Sequence, residues 1–183
     1  IAPPAEQIID ADSLRLAGVL THAGQRYAGP DASETPEEAL RRASHQETHR
    51  ILEAAARIYS ETAPPISKDD FTVSIGSTPS MRYFENTEHE GLRITEIRPG
   101  NYVFYDAMQH TLGVCPLDHC ALTAYTQVVS RHRMPNGTER VFVDAGKKVF
   151  TIDTGARTSG FGIALYNAAF MREHPHVQIT NLS

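Results

Sequence analysis

Small polar residues follow a short apolar run in the segment Ser74–Ser80, whose sequence is Ser-Ile-Gly-Ser-Thr-Pro-Ser. The residues before it, Phe71-Thr72-Val73, are β-branched or aromatic and indicate a buried strand. A strand that ends in Gly-Ser-Thr offers backbone N–H groups and two hydroxyls around a small space, and such a set of donors suits a phosphate group. Gly-Ser-Thr-Pro is also ordinary turn chemistry, so the segment alone leaves both interpretations open.

A second polar segment, His22–Tyr27, follows a mostly apolar stretch over residues 14–21 that is typical of a strand in a parallel sheet. His22 stands at the end of this predicted strand, where α/β proteins place catalytic and binding residues. A lone loop histidine is more often a hydrogen-bonded structural residue. Its position still makes His22 a candidate site residue.

The clearest helix signal lies between these two strands. Thr35 and Glu38 form a capping box, and Pro36 occupies the first helical position, so we expect a helix from Pro36 to about Ser60. An apolar stripe at helical spacing would face the core, and its members are Leu40, Ala43, Ile51, Ala55 and Ile58. The order strand, helix, strand implies parallel strands, so both polar segments should open on the same edge of the sheet.

The pattern changes after a strand candidate over residues 92–97. Four further strands are predicted, at residues 102–105, 121–130, 140–143 and 149–152, with no helical pattern between them. Pro135-Asn136-Gly137 predicts a hairpin turn. The fold class is therefore α/β followed by all-β, and we place a domain boundary near residue 98.

The composition of the chain limits the kinds of binding partner and the cellular setting that we expect. The chain has 183 residues and a net charge of -5, with no basic patch that would favour nucleic acid. No apolar run reaches the roughly 20 residues that span a bilayer. Two cysteines, Cys115 and Cys120, make no disulfide framework, so we expect a reducing, cytoplasmic setting. Both termini suggest an internal fragment of a longer protein.

Five segments together resemble the D-serine dehydratase-like family, which includes D-threonine aldolase, and they span most of the chain from about Leu14. These enzymes use pyridoxal phosphate and have the alanine-racemase type of fold. The matching segments are His22–Tyr27, Val73–Ser80, Arg98–Asp106, Cys120–Arg131 and Val143–Lys148.

The resemblance implies a fold and a cofactor site. Residues 1–98 would be the last β/α units of a pyridoxal-phosphate-binding (β/α)8 barrel, and residues 99–183 an incomplete antiparallel β domain. The cofactor phosphate would be held by Gly76, Ser77, Thr78, Gly100 and Asn101. His22 and Tyr27 would line the cofactor ring.

The resemblance also implies what the chain lacks. The Schiff-base lysine of the family would precede this sequence, and the ligands of its divalent metal, Zn or Mn, would follow Ser183. Lys147 and Lys148 are poor substitutes because they fall in the β domain. No catalytic residue can therefore be assigned, and we expect the chain alone to be inactive. The intact protein would be a homodimeric lyase acting on a small D-3-hydroxy amino acid, either as an aldolase or as a dehydratase.

Two alternatives remain open at this stage. One is a non-catalytic protein that keeps the fold and binds a phosphorylated ligand. The other is a structural β module with a local zinc site at Cys115, His119 and Cys120, although this spacing fits no standard zinc pattern.

Overall fold

The structure is a computed structural model that describes residues 2–24, 30–31, 33–154, 160–165 and 173–182. The chain divides into two compact units, Ile1–Val103 and Phe104–Ser183. Each unit is described by itself below. The assignment of these parts to a barrel and to a β domain stays a prediction.

Three helices lie in the described part of the first unit. Helix α1 spans Ala2–Ile9, helix α2 spans Pro36–Thr62 and the short helix α3 spans Thr78–Met81. The predicted capping box is present, because the Thr35 hydroxyl accepts from the Glu38 N–H at 3.2 Å and Glu38 accepts from the Thr35 N–H at 2.9 Å. Helix α2 ends where Ala63 adopts a left-handed conformation with φ 41°. The helix predicted from Pro36 to about Ser60 is thus confirmed.

A three-stranded parallel sheet carries the core of the first unit. Strands β1 (Gly18–Leu20), β2 (Thr72–Ile75) and β5 (Glu96–Ile97) lie in the order β1-β2-β5. Gly18 pairs with Thr72, and Ser74 pairs with Glu96. The strand–helix–strand prediction is confirmed, although β1 is much shorter than the stretch over residues 14–21.

Alternate residues of β2 face opposite sides of the sheet, as strand geometry requires. Phe71, Val73 and Ile75 are fully buried and belong to the apolar cluster that includes Leu52 and Ala55 of α2. Ile51, Ala55 and Ile58 of the predicted core stripe belong to this cluster, and Leu52 extends it. The hydroxyl of Ser74 instead bonds to polar side chains of the neighbouring strand and its following loop.

The single strand predicted over residues 92–97 is wrong. Strand β4 (Leu92–Arg93) pairs antiparallel with β3 (Glu88–His89), and only β5 joins the parallel sheet. The side chain of Asn86 accepts from the Ile94 N–H and donates to the Ile94 carbonyl, each at 3.0 Å. The backbone groups of Ile94, between β4 and β5, are therefore paired with a side chain instead of a neighbouring strand, and the strand is interrupted there.

The described residues of the second unit form two antiparallel strand pairs. Strands β6 (Val128–Arg133) and β7 (Glu139–Val143) form a hairpin, and β8 (Ile163–Leu165) pairs with β9 (Glu173–Gln178). Gly137 has φ 83° in the hairpin turn, as its sequence predicted.

Further strand predictions for the later part of the chain fail. Residues 102–105 and 149–152 lie in turns and irregular backbone, and the strand predicted over residues 121–130 is present only from Val128, where β6 begins. A short helix α4 (Ala107–Thr111) begins at Asp106, whose carboxylate accepts from the Gln109 N–H at 2.8 Å, and Leu117–His119 form one 3-10 turn. Asp106 is a typical N-cap residue, so the start of α4 has a local signal in the sequence.

At the coarser level, an α/β part followed by antiparallel strand pairs matches the expected fold class. Three parallel strands do not close a barrel, so the barrel stays a prediction. Among the described residues, no helix combines the length and the apolar composition needed to span a bilayer.

Candidate functional site

Three loops meet at one edge of the parallel sheet. They follow β1, β2 and β5 and contain His22–Gly24, Gly76–Ser80 and Arg98–Asn101, and the second of them enters helix α3 at Thr78. The backbone ladder continues to the start of these loops, with Thr21 N–H donating to the Ser74 carbonyl at 3.0 Å and Arg98 N–H to the Ile75 carbonyl at 2.8 Å. Because all three strands are parallel, their carboxyl ends share this edge. The predicted convergence of the first two loops is confirmed.

The loop after β2 passes very close to the end of β5. A Cβ atom on Gly76 would lie 2.7 Å from the carbonyl oxygen of Arg98, a distance that side chains do not tolerate. Gly76 is therefore required for the two chains to approach at this point. The close approach brings the loop after β2 beside the loop after β5.

Ser77 carries the most informative side chain of this loop. It is 1% exposed, and its hydroxyl has no hydrogen-bond partner among the described residues. Leaving a buried hydroxyl unpaired costs free energy, so such a group in a native protein calls for a partner. A ligand oxygen at the loop would supply one.

Thr78 joins the loop after β2 to the loop after β5. Its hydroxyl accepts a hydrogen bond of 3.1 Å from the backbone N–H of Asn101. Thr78 is buried and Asn101 is partly buried. The structure thus brings together two of the residues that the sequence assigned to one phosphate site.

The other assigned residues are placed less centrally. His22 lies exposed in the loop after β1. Gly100 is exposed, and a Cβ atom there would meet nothing within 4 Å. Tyr27 lies outside the described residues. The cofactor-binding roles of all seven residues stay predictions.

Glu47, a carboxylate in the buried face of α2, was not among the predicted site residues. Glu47 is 5% exposed and touches both of the first two loops. Its Oε1 accepts from the Ala23 N–H at 3.1 Å, and its Oε2 accepts from the Ser80 hydroxyl. The signal was present in the sequence, because Glu47 falls midway between Ala43 and Ile51 on the predicted core stripe. A charged residue is seldom buried at a core position unless it is paired with specific partners.

A second missed group lies on the sheet face opposite the apolar core. The Ser74 hydroxyl donates to Glu96 Oε1 at 2.5 Å and accepts from Arg98 Nε at 2.9 Å. The same Arg98 nitrogen lies 3.0 Å from Glu96 Oε1. Ser74 is buried, whereas the two charged side chains are about half exposed. This cluster orients Arg98, whose carbonyl defines the approach to Gly76.

An open cavity of about 460 Å³ lies beside β1, between that strand and α2. Ala23, Glu47 and Arg50 are among its lining residues. None of Gly76–Ser80 lines it. The cavity therefore shares Ala23 and Glu47 with the surroundings of the first two loops but includes none of the predicted phosphate-binding residues.

The zinc alternative gains no support in the second unit. Cys115 and Cys120 are buried and form no disulfide. Burial raises the pKa of the Cys120 thiol, and its hydrogen bond to Cys115 partly offsets this shift. The part of the chain that the structure describes contains no group of three or more His, Cys, Asp or Glu side chains placed to hold a metal ion. Cys120 ends a 3-10 turn.

The chain is similar in sequence to known enzymes. No protein-family model matches the chain. D-threo-3-hydroxyaspartate dehydratase from Delftia sp. strain HT23 is 34% identical over 143 residues, which cover 78% of this chain and 33% of the relative. D-serine dehydratase from Dictyostelium discoideum is 34% identical over 125 residues, covering 61% and 31%. The resemblance to the D-serine dehydratase-like family is confirmed. The chain spans about a third of the length of these curated relatives.

Solved structures agree with this family. The Delftia dehydratase superposes with a TM-score of 0.67 at 28% identity, over 93% of this chain and 41% of that chain. A cysteine-to-alanine variant of the same enzyme is described as a metal-free form. An alanine-racemase-like protein from Idiomarina loihiensis covers the whole chain, and 46% of its own, with a TM-score of 0.68 at 22% identity, which shows a shared fold alone.

Proposed function

We propose that the intact protein is a pyridoxal-phosphate-dependent lyase acting on a small D-3-hydroxy amino acid. The names of the two curated relatives favour the dehydratase type, which eliminates water and yields a 2-oxo acid and ammonia. Aldolase-type cleavage to glycine and an aldehyde is the alternative within the same family. A non-catalytic phosphate-binding protein would retain the same loops.

The buried Ser77 hydroxyl is the observation that carries this proposal. It lies in a loop at the meeting point of parallel strand ends, where the chain approaches too closely for any residue but glycine at position 76. A phosphate oxygen could accept its hydrogen bond, with backbone N–H groups of the loop as further donors. The residues present therefore suit the phosphate of the cofactor.

Each loop would have a defined task in the bound state. Gly76, Ser77 and Thr78 would hold the phosphate, and the Thr78–Asn101 bond would keep Gly100 and Asn101 beside it. His22 would lie against the cofactor ring from the loop after β1. Bound pyridoxal phosphate supplies an electron sink for the substrate carbon that loses its proton.

The described residues offer no ligand set for a metal, so no step is assigned to one here. We propose that the intact protein also binds Zn or Mn through residues outside the described part and forms a homodimer. Metal analysis before and after chelation would test the first point. Sedimentation analysis would test the second.

The phosphate site can be tested without turnover. Equilibrium dialysis of the chain should show saturable binding of pyridoxal phosphate that inorganic phosphate competes away. Ser77→Ala should weaken this binding about tenfold or more, since a hydrogen bond to a charged group contributes about 1.5–3 kcal/mol. Ser13→Ala, at an exposed position after α1, serves as the control. Equal binding by Ser77→Ala and the wild-type chain would contradict the assignment.

Activity needs the intact protein. Release of ammonia and a 2-oxo acid from D-serine or D-threo-3-hydroxyaspartate would support a dehydratase. Glycine and an aldehyde from D-threonine would support an aldolase. Cofactor binding without any product from these substrates would favour the non-catalytic alternative.

A further inference from the structure

Glu47 connects two loops that the sequence leaves far apart. One oxygen of its carboxylate accepts from the Ala23 N–H at 3.1 Å, in the loop after β1. The other accepts from the Ser80 hydroxyl, at the end of the loop after β2. Both bonds are buried. The side chain therefore fixes the spacing between the two loops from the side of α2.

The contact extends from Ser80 to Ser77, which is predicted to bind the phosphate. The Ser80 N–H donates to the Ser77 carbonyl at 3.1 Å, and the Ser80 hydroxyl oxygen lies 3.0 Å from the same carbonyl. Glu47 thus holds Ser80, and Ser80 holds the Ser77 peptide. The direction of the buried Ser77 hydroxyl depends on that peptide.

A carboxylate suits this place for a chemical reason. An ionised carboxylate only accepts hydrogen bonds, and its two oxygens accept several at once. The backbone N–H of Ala23 and the hydroxyl of Ser80 are both donors toward it. An apolar residue at position 47 would pack against the stripe of α2 but would leave the buried Ala23 N–H without this acceptor.

We propose that Glu47 is a positioning residue that sets the affinity of the phosphate site by fixing the loops at Ala23 and at Ser77–Ser80. This inference rests on the proposed binding of a phosphorylated cofactor at the loop after β2. Glu47 itself acts through Ser80 and the backbone and need not touch the ligand.

The variants should separate positioning from bulk stability. Glu47→Leu keeps a similar volume and a good helix former but removes both acceptors. Glu47→Gln keeps an oxygen for Ala23 and can donate its amide hydrogen to the Ser80 oxygen. Ser80→Ala removes one of the two contacts from the other side. Glu53→Gln, on the exposed face of the same helix, is the matched control.

Two readouts are needed on the 183-residue chain. Equilibrium dialysis with pyridoxal phosphate should give about tenfold weaker binding for Glu47→Leu, and less than about threefold for Glu47→Gln and Glu53→Gln. Hydrogen exchange at the Ala23 amide, measured without ligand, should accelerate in Glu47→Leu alone among these variants. The double variant Glu47→Leu/Ser80→Ala should bind no more weakly than Glu47→Leu, because both changes break the same connection.

The outcomes distinguish the two proposals. If the wild-type chain binds neither pyridoxal phosphate nor inorganic phosphate, the proposed phosphate site at the loop after β2 is overturned, and the effect of Glu47 on affinity is overturned with it. If the wild-type chain binds but Glu47→Leu binds equally well, only the positioning role is overturned. Should Glu47→Leu not fold, Ser80→Ala decides, since unchanged affinity in that variant overturns the connection through Ser80.

Discussion

The hydroxyl of Thr78 accepts a hydrogen bond of 3.1 Å from the backbone N–H of Asn101 and so ties the loop after β2 to the loop after β5. Thr78→Val keeps the shape of the side chain and removes the acceptor. We expect a loss of about 1 kcal/mol in the free energy of unfolding and weaker binding of pyridoxal phosphate by about threefold to tenfold. Urea unfolding and equilibrium dialysis measure the two effects.

Thr123→Val provides the control for this change, because Thr123 is exposed in the second unit. It should alter neither quantity. Normal binding by Thr78→Val would show that Asn101 keeps its place without this bond.

Gly76 and Gly100 form a matched pair of substitutions. A Cβ on Gly76 would meet the Arg98 carbonyl at 2.7 Å, whereas a Cβ on Gly100 would meet nothing within 4 Å. Gly76→Ala should therefore cost about 1–3 kcal/mol in stability, as overpacked sites do. Gly100→Ala should leave stability unchanged or slightly higher.

Binding then separates the roles of the two glycines. Loss of pyridoxal phosphate affinity in Gly100→Ala, with stability intact, would support a direct approach of the ligand to that backbone. Full affinity would remove Gly100 from the set of predicted ligands. A Gly76→Ala variant as stable as the wild-type chain would contradict the close approach itself.

Ser74 holds Glu96 and Arg98 together on the face of the sheet opposite the core. Ser74→Ala should lower the free energy of unfolding by about 1 kcal/mol, because two hydrogen bonds of a buried hydroxyl are lost while the half-exposed ion pair remains. Urea unfolding against Ser13→Ala measures this effect. A difference below about 0.5 kcal/mol between the two variants would contradict it.

The capping box of α2 should make stability depend on acid pH. The Thr35 backbone N–H and, to a smaller extent, the Thr35 hydroxyl donate hydrogen bonds to the Glu38 carboxylate. These bonds hold the pKa of Glu38 below its usual value. A carboxyl whose pKa is lower in the folded state contributes stability above its unfolded pKa, and this contribution is lost as pH falls through the folded value. We expect urea unfolding between pH 6 and 3 to show this loss. Glu38→Gln, which cannot titrate, should show a smaller decline over the same range.

Burial should protect both cysteines from modification. Because burial raises the pKa of the Cys120 thiol, little thiolate is available at pH 8. A disulfide reagent should therefore react at least about tenfold more slowly with the folded chain than with the chain in urea. Rapid reaction of both thiols in the folded chain would contradict their burial. If the purified chain retained about one zinc ion, this result would support a zinc site at Cys115, His119 and Cys120.

The sequence predicted what depends on local chemistry and regular spacing. Thr35, Pro36 and Glu38 fixed the start of α2, and Asn136-Gly137 fixed the hairpin between β6 and β7. The convergence of the loops after β1 and β2 followed from the order of elements and the rule for parallel strands. The resemblance to a known family came from motifs spread along the chain.

What the sequence did not predict depends on contacts between distant residues. The strand over residues 92–97 breaks because Asn86 occupies the backbone of Ile94, and periodicity cannot show such a bond. The tie between Glu47 and Ser80 joins a helix to a loop 33 positions away. The sequence shows that the charged Glu47 interrupts the apolar stripe of α2, but it does not show which residues form hydrogen bonds with it.

The alternation of side chains along β2 has a practical consequence for engineering. Odd-numbered positions from Phe71 to Ile75 meet the helix, and the even-numbered Ser74 meets polar groups on the other face. A library that varies only the odd positions would sample the packing of the sheet against α2. A library at Ser74 and its polar neighbours would sample the hydrogen-bonded face instead. The two faces can therefore be varied in separate rounds and then combined.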